Sequence, residues 1–515
     1  MLQNLSKWTE TKRAFLFVLF ISTVLKVSLA IPDTVMNHDG VLYISAAQHF
    51  ASGHFGEGMA LHPMPAYPIL IAIVHFLGPN WVAAAQLISI ITSILVLIPL
   101  YLLARDLFDR RTAFWACFAF ALAPFPNGCS AEVIRGPSFL FLIAWAVYFA
   151  GRAIQSTRLV FFFATAIFAW ASAFFRIEGI IFIPLYLFFL AGMAIWKKGE
   201  KGPLIKGILV WIAFPLVAIA VLLAAPEAAS SKILSQLTQK LHDFVHMNYL
   251  DNYHLIYEQL KALESSSPYP SGNQNLAEIA RHFMPVIYFL GLIETFIKVL
   301  FPLFVIPLFW SFRHSFSRTR LFVLILTVAY LLMVYYTLLE QDFIQSRFLF
   351  TPAFLLYPWI GMGLERIFTF LTRSSRPGFF TTLFVIVFFI SPVYKSVHHV
   401  WKQDNIIAKS GKWLADKEGF RKAGIITNDP RIPFYAGRGN DFLNYPNLNN
   451  DYTAMQQAAI KKRMDLIVIR TSVKRKKLIP KLQVYKKLKE FAGKKDVVII
   501  YRSPEFREPP GVEPR

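Results

Sequence analysis

Four short stretches of the chain set ionisable residues beside long apolar runs, and the residue types suit proton transfer and phosphate binding. In NHDGVLYISAAQHF, Asp39 opens an amphipathic segment that follows an apolar run. CSAEVIRGP holds Glu132 and Arg135 three residues apart, and FFRIEGIIF sets Arg176 and Glu178 between two apolar runs with almost no loop. LEQDFIQSRFLFTP carries Glu340, Asp342 and Arg347. A carboxylate at such a boundary can take a proton from a hydroxyl. A guanidinium offers a planar fork of donors that matches a phosphate. Each group also has a plainer reading. Asp39 could cap a helix, Glu132 and Arg135 could pair across one helical turn, and Arg347 could anchor a span at the interface. Glu178 could be the fixed partner that Arg176, a cation close to hydrocarbon, requires. Spacing alone leaves these alternatives open.

His62, His242, His246, His254 and His282 all fall in the long polar loops, and His242 and His246 are four apart. No H-E-x-x-H pattern surrounds them, so no metal is assigned there. No cofactor is certain from the sequence, and a divalent metal is left open. Cys117 lies in an apolar run and Cys129 in a loop, which argues against a disulfide framework.

The elements that must position these groups are membrane spans. The 515 residues are 55% hydrophobic and only 16% charged, against about 25% charged in soluble domains, and the mean hydropathy is +0.46. Runs long enough to cross a bilayer are read at 14–31, 80–103, 112–126, 137–153, 159–175, 178–196, 207–225, 285–310, 321–339, 348–366 and 378–396, about eleven in all. Basic residues gather in alternate short loops, among them Lys12 and Arg13, Arg110 and Arg111, Arg152 and Arg158, Lys197 and Lys198, Arg318 and Arg320, and Arg373 and Arg376. The positive-inside bias makes that side cytoplasmic. The N-terminal run has no small-residue cleavage site and is read as a retained first helix.

This orientation puts a first loop (32–79), a second long loop (226–284) and the tail outside. Two interfacial helices are expected in the first loop, the second of them in ALHPMPAYPILIAIVHFLG. The expected division is a membrane domain over 1–396 and an extracytoplasmic domain over 397–515. Of the net charge of +22, residues 401–515 contribute +13, from 25 Lys/Arg and 12 Asp/Glu. Beside a membrane such charge suits anionic lipid rather than nucleic acid. GIITN, DLIVIR and DVVIIYR read as strands, with DYTAMQQAAIKKRM and KLQVYKKLKEFAG as helices between them. That alternation predicts a small α/β unit with a parallel sheet and no phosphate-binding glycine loop.

The segments NHDGVLYISAAQHF, LHPMPAYPILIAIV, RIEGIIFIP and QSRFLFTPAFLLYPWIGMGLERI, in this order over roughly 14–390, resemble the glycosyltransferase C superfamily. The likeness is to its bacterial family 39-type members, relatives of protein O-mannosyltransferases and the lipid A aminoarabinose transferase. The resemblance implies a polytopic helical fold, a polyprenyl-phosphate sugar as donor, and inverting transfer on the extracytoplasmic face of the plasma (inner) membrane. It implies Asp39 as the catalytic residue, acting as base or orienting the acceptor. It places Arg347 on the lipid phosphate, Arg176, Arg135 and Glu132 along the same cavity, and His62 in the family's His-Pro motif, with Tyr43 also counted among the donor-binding residues. Where the family often shows a second acid, this chain has Asn37 and His38, which leaves a metal requirement in doubt.

The expected activity is transfer of a sugar to a glycolipid, lipid-linked glycan or protein acceptor. The rival is a transporter or flippase, which would place ionisable groups near mid-bilayer on matched broken helices. A non-catalytic envelope assembly factor would need no single outer charge.

Overall fold

The structure is a computed structural model that describes residues 9–31, 36–62, 64–196, 201–223, 235, 238, 250–265, 272–311, 317–401, 405–417, 420, 422–439, 441–445, 452–479 and 484–506. His242 and His246 lie outside the described residues. The chain forms two compact units, one of Met1–Val27, Ser89–Ser130 and Arg135–Val397, the other of Ser28–Ile88, Ala131–Ile134 and His398–Arg515. The segment Ser28–Ile88 thus belongs to the same unit as the tail.

Among the described residues seven helices are long and apolar enough to span a bilayer: Lys12–Ala30, Trp81–Leu107, Gly136–Ser156, Ile177–Trp196, Gln274–Leu300, Arg318–Gln341 and Pro377–His398. The run at 159–175 forms the helix Leu159–Phe175, and others form helices with different bounds. The run at 112–126 becomes Arg110–Leu122, 13 residues long and buried along most of its length. Its alanines let neighbours approach, so its hydrophobicity serves packing within the unit rather than lipid contact. The run at 285–310 is two helices, because Phe301 takes φ 75 and Pro302 follows it. The run at 348–366 is likewise divided into Phe350–Leu355 and Tyr357–Thr372, with Pro352 and Pro358 early in each piece.

The helix Tyr357–Thr372 packs tightly because two glycines allow it. A Cβ on Gly361 would lie 2.5 Å from the Thr112 carbonyl oxygen, and one on Gly363 would lie 1.8 Å from that of Pro307. An aromatic cluster fills the space beside this seam: Trp115 stands 5.1 Å from Phe368 and 5.7 Å from both Phe384 and Phe389, ring centre to ring centre.

In the second unit, His38–Ala51, Phe55–Leu61 and Ala66–His75 are short helices. The C-terminal strands are β1 (Ile425–Thr427), β2 (Leu443–Asn444), β3 (Leu466–Ser472), β4 (Lys486–Ala492) and β5 (Asp496–Arg502). They form one sheet in the order β2-β1-β3-β5-β4. The three expected strands are β1, β3 and β5, and DYTAMQQAAIKKRM supplies the helix Tyr452–Lys461. Two expectations are corrected. The sheet is mixed, parallel at β1–β2 and β1–β3 but antiparallel at β3–β5 and β4–β5. KLQVYKKLKEFAG contains β4 rather than a helix. A register shift between Lys487 and Lys489 turns Leu488 and Phe491 onto one core face, and that spacing of three imitates a helical period.

Candidate active site

In the membrane unit the helix Leu159–Phe175 ends at Arg176, which is extended (φ −149, ψ 136) and leads into the 3₁₀ turn Ile177–Ile181. The turn is tight: a Cβ on Gly179 would meet the Ala173 backbone nitrogen at 2.7 Å. The fold leaves Arg176 only 3% exposed. Its Nε donates to Glu178 Oε1 at 3.1 Å, and Nη2 donates to the same oxygen. Glu178 is therefore the partner that desolvation of Arg176 demands. The Arg176 guanidinium carbon also lies 5.2 Å from the Phe348 ring centre and 5.7 Å from that of Phe139. Arg347, half-buried, approaches the Phe348 ring at 5.8 Å. Arg135 donates from Nη1 to the Phe175 carbonyl oxygen at 3.1 Å, capping the C-terminus of the helix that delivers Arg176.

Three of the arginines singled out in the sequence thus lie around one short stretch of backbone and one ring. With Glu178 as the acid at their centre, these four residues carry a net charge of +2, suited to an anion such as a phosphate. Asp342 is used elsewhere: it takes a left-handed conformation (φ 59) at the end of Arg318–Gln341 and accepts a hydrogen bond from Tyr288 at 2.7 Å.

In the second unit Asp39 lies in the first turn of His38–Ala51 and is half-buried. Asn37 is the cap of that helix, its Oδ1 accepting from the Gly40 N–H at 2.7 Å. Its Nδ2 donates to the Val133 carbonyl at 3.0 Å and to Glu132 Oε2 at 3.3 Å. Glu132 therefore joins the Asp39 helix. Residues 131–135 are a bend, not the helical turn that would have put Glu132 and Arg135 on one face. Tyr43 is 1% exposed, and its ring stands edge-on to His62 at 4.9 Å and to Tyr67 at 5.3 Å. His62 thereby buttresses the helix that bears Asp39.

Sequence reading missed three groups. Asp429, 1% exposed, accepts from Arg431 Nε at 2.8 Å and Nη2 at 2.6 Å and from Arg470 Nη1 at 3.3 Å, and faces His38 Nε2 at 3.6 Å. Burial pushes its carboxyl up, but hydrogen bonds and charge from Arg431, with the charges of His38 and Arg470, outweigh that and hold it below the ordinary carboxylate range. Lys26, fully buried in the first span, donates to Ser22 Oγ at 3.0 Å and Asn127 Oδ1 at 2.9 Å. His49, His54 and Glu57 bring three metal-ligating atoms within 4.8 Å of one another. The DPR spacing of Asp429 and Arg431 and a lone lysine in an apolar run were the available signals.

A family model for dolichyl-phosphate-mannose-protein mannosyltransferases matches residues 61–226. No curated protein matches the chain by sequence. Among solved structures, the Archaeoglobus fulgidus oligosaccharyltransferase in its apo form superposes with a TM-score of 0.56 at 13% identity, covering 97% of this chain and 76% of that one. ArnT from Cupriavidus metallidurans, bound to undecaprenyl phosphate, gives 0.53 at 13% identity over 96% and 99% of the two chains. The chain has the glycosyltransferase C fold. Within that fold it is a multi-pass membrane protein with a small C-terminal sheet domain. A third structure of the same fold, the Archaeoglobus fulgidus enzyme tethered to an acceptor peptide, gives 0.58 at 13% identity, covering 97% of this chain and 75% of that one.

Proposed function

We propose that this protein is an inverting glycosyltransferase that moves a sugar from a polyprenyl-phosphate donor to an acceptor hydroxyl outside the cytoplasm. Asp39 removes the hydroxyl proton as the oxygen attacks the anomeric carbon from the face opposite the phosphate. The bond from that carbon to the phosphate oxygen breaks, and polyprenyl phosphate leaves with an added negative charge. Arg176, Arg347 and Arg135 stabilise that charge as it develops. The observation that carries this reading is the convergence of Arg176 and Arg347 on the Phe348 ring, with Glu178 as the acid of the cluster. ArnT with undecaprenyl phosphate bound, a protein of the same fold, supports a lipid phosphate as the anion.

The acceptor is a glycolipid, a lipid-linked glycan or a protein, and the C-terminal domain, 397–515, works on the extracytoplasmic side. Asn37 is an amide and His38 an imidazole, engaged with Glu132 and Asp429, and no step here runs through a metal. The test is Asp39→Asn in membranes supplied with cell-extracted polyprenyl-phosphate sugars. The variant should insert and bind undecaprenyl phosphate but transfer nothing; wild-type turnover would remove Asp39 from the reaction. Uptake of a solute into proteoliposomes without transfer would favour the transporter.

A further inference from the structure

We infer that the C-terminal domain is a positioning element for the reaction, holding the turn that carries Asp39 through Asp429, Arg431 and Tyr435; the inference rests on the transferase reading above. Three contacts reach the residues just before Asp39. The Met36 N–H donates to Tyr435 Oη at 2.9 Å. Arg431 Nη1 donates to the Met36 carbonyl at 3.3 Å. His38 Nε2 lies 3.6 Å from Asp429 Oδ1. Both polar groups of the Met36 backbone and the side chain beside the catalytic acid are therefore held by one short segment, NDPRIPFY.

That segment is itself fixed to the sheet. Asn428 exchanges two hydrogen bonds with the backbone of Arg470, each 2.8 Å, which lock the loop after β1 onto β3. The Asp429 N–H donates to Thr427 Oγ1 at 3.1 Å, and its carboxylate accepts from the Arg431 backbone N–H at 3.1 Å as well as from the guanidinium. Arg470 extends the network to Asp496 at 2.8 Å. On the other side of the turn, Asn37 binds Val133 and Glu132. A Cβ on Gly40 would meet Met36 Cγ at 2.4 Å and Val133 Cβ at 3.2 Å, so the turn is packed as well as hydrogen-bonded.

A buried carboxylate forked by one arginine and shared with a second is a rigid anchor. Displacement of a catalytic group by about 1 Å can cost on the order of a hundredfold in rate. The anchor therefore acts on turnover through the orientation of Asp39.

The test uses the full chain in nanodiscs, with undecaprenyl phosphate as the binding probe and cell-extracted polyprenyl-phosphate sugars for turnover. Tyr435→Phe removes one acceptor. It should lower kcat about fivefold or more and speed hydrogen exchange at the Met36 amide, while the Kd for undecaprenyl phosphate stays within about twofold. Asp429→Asn should lower kcat by about a hundredfold, and Arg431→Lys should retain more activity than Arg431→Met. Lys487→Ala, on the exposed edge of the sheet, should behave as wild type. If Asp39→Asn is inactive but Tyr435→Phe and Asp429→Asn turn over normally, the anchoring role is wrong and the transferase reading stands. If the variants lose undecaprenyl-phosphate binding in proportion to rate, the effect is general and the positioning role is also wrong. If Asp39→Asn itself turns over normally, both inferences fall.

Discussion

The Arg176–Glu178 pair gives a test in which stability and ligand affinity move in opposite directions. Arg176 is 3% exposed, and the Glu178 side chain 11%. Breaking a buried pair by removing one partner costs about 3–5 kcal/mol, because the remaining charge is left uncompensated. Glu178→Gln keeps an oxygen for Arg176 to bond, so its loss should fall near 3 kcal/mol, a large share of the roughly 5–15 kcal/mol that holds a protein folded. The Arg176 charge, no longer matched by a carboxylate at 178, is then more favourably neutralised by an anionic ligand. Undecaprenyl phosphate should bind the variant more tightly than wild type, with each 1.4 kcal/mol of recovered pairing lowering Kd about tenfold. At a hundred times Kd the ligand returns about 2.7 kcal/mol by mass action, close to the original deficit. The assay is thermal unfolding in nanodiscs with and without undecaprenyl phosphate, together with a direct binding isotherm. A variant that is destabilised yet binds the lipid no better than wild type would show that Arg176 is a structural cation and not part of a phosphate site.

Other predictions follow from the remaining clusters. Asn127→Leu should destabilise the membrane unit by about 1.5–3 kcal/mol by removing one hydrogen bond to the buried Lys26 side chain, while the Lys26→Met, Asn127→Leu double variant should recover much of that loss; additive losses in a double-mutant cycle would refute the coupling. Zinc should raise the unfolding temperature through His49, His54 and Glu57, of which His49 Nδ1 and Glu57 Oε2 are already 2.9 Å apart. Tetrahedral bonds of 2.0–2.1 Å need ligand atoms about 3.3 Å apart, and the effect should vanish in His54→Ala or with a chelator. Burial lowers the pKa of His38, Asp429 and Asp39 partly offset this, and Arg431 and Arg470 add to it. The unfolded chain then takes the proton first, so stability should fall as pH drops below about 6.5, and His38→Asn should remove that onset. The depressed Asp429 contributes fully above about pH 3.9 and loses its contribution only as pH falls through its lower folded value.

Much of the membrane fold was legible because hydrocarbon imposes length and composition on every crossing helix. Six of the eleven apolar runs coincide closely with spans, from 14–31 to 378–396. The divided runs were not, since Phe301 in a left-handed conformation and prolines early in helices leave hydropathy unchanged while breaking the backbone. In the site, Arg176 and Glu178 could be paired from sequence because a buried cation needs a near neighbour. Asp429 could not: its partners Arg470 and His38 are 41 and 391 positions away, and only the parallel β1–β3 pairing and the packing of the helix His38–Ala51 bring them together. β4 was misread because its shifted register gave a strand the hydrophobic spacing of a helix.

That same strand has a further consequence. A sheet that ends in an unpaired row of backbone donors and acceptors invites a second molecule to extend it. Here one border, β2, is only two residues long, and the other bears Lys486, Lys487 and Lys489 beside an irregular step in register. Neighbouring copies crowded in the plane of a membrane would bring like charges face to face before any strand could zip. The lysines along that border therefore oppose edge-to-edge pairing of the sheet with a second copy.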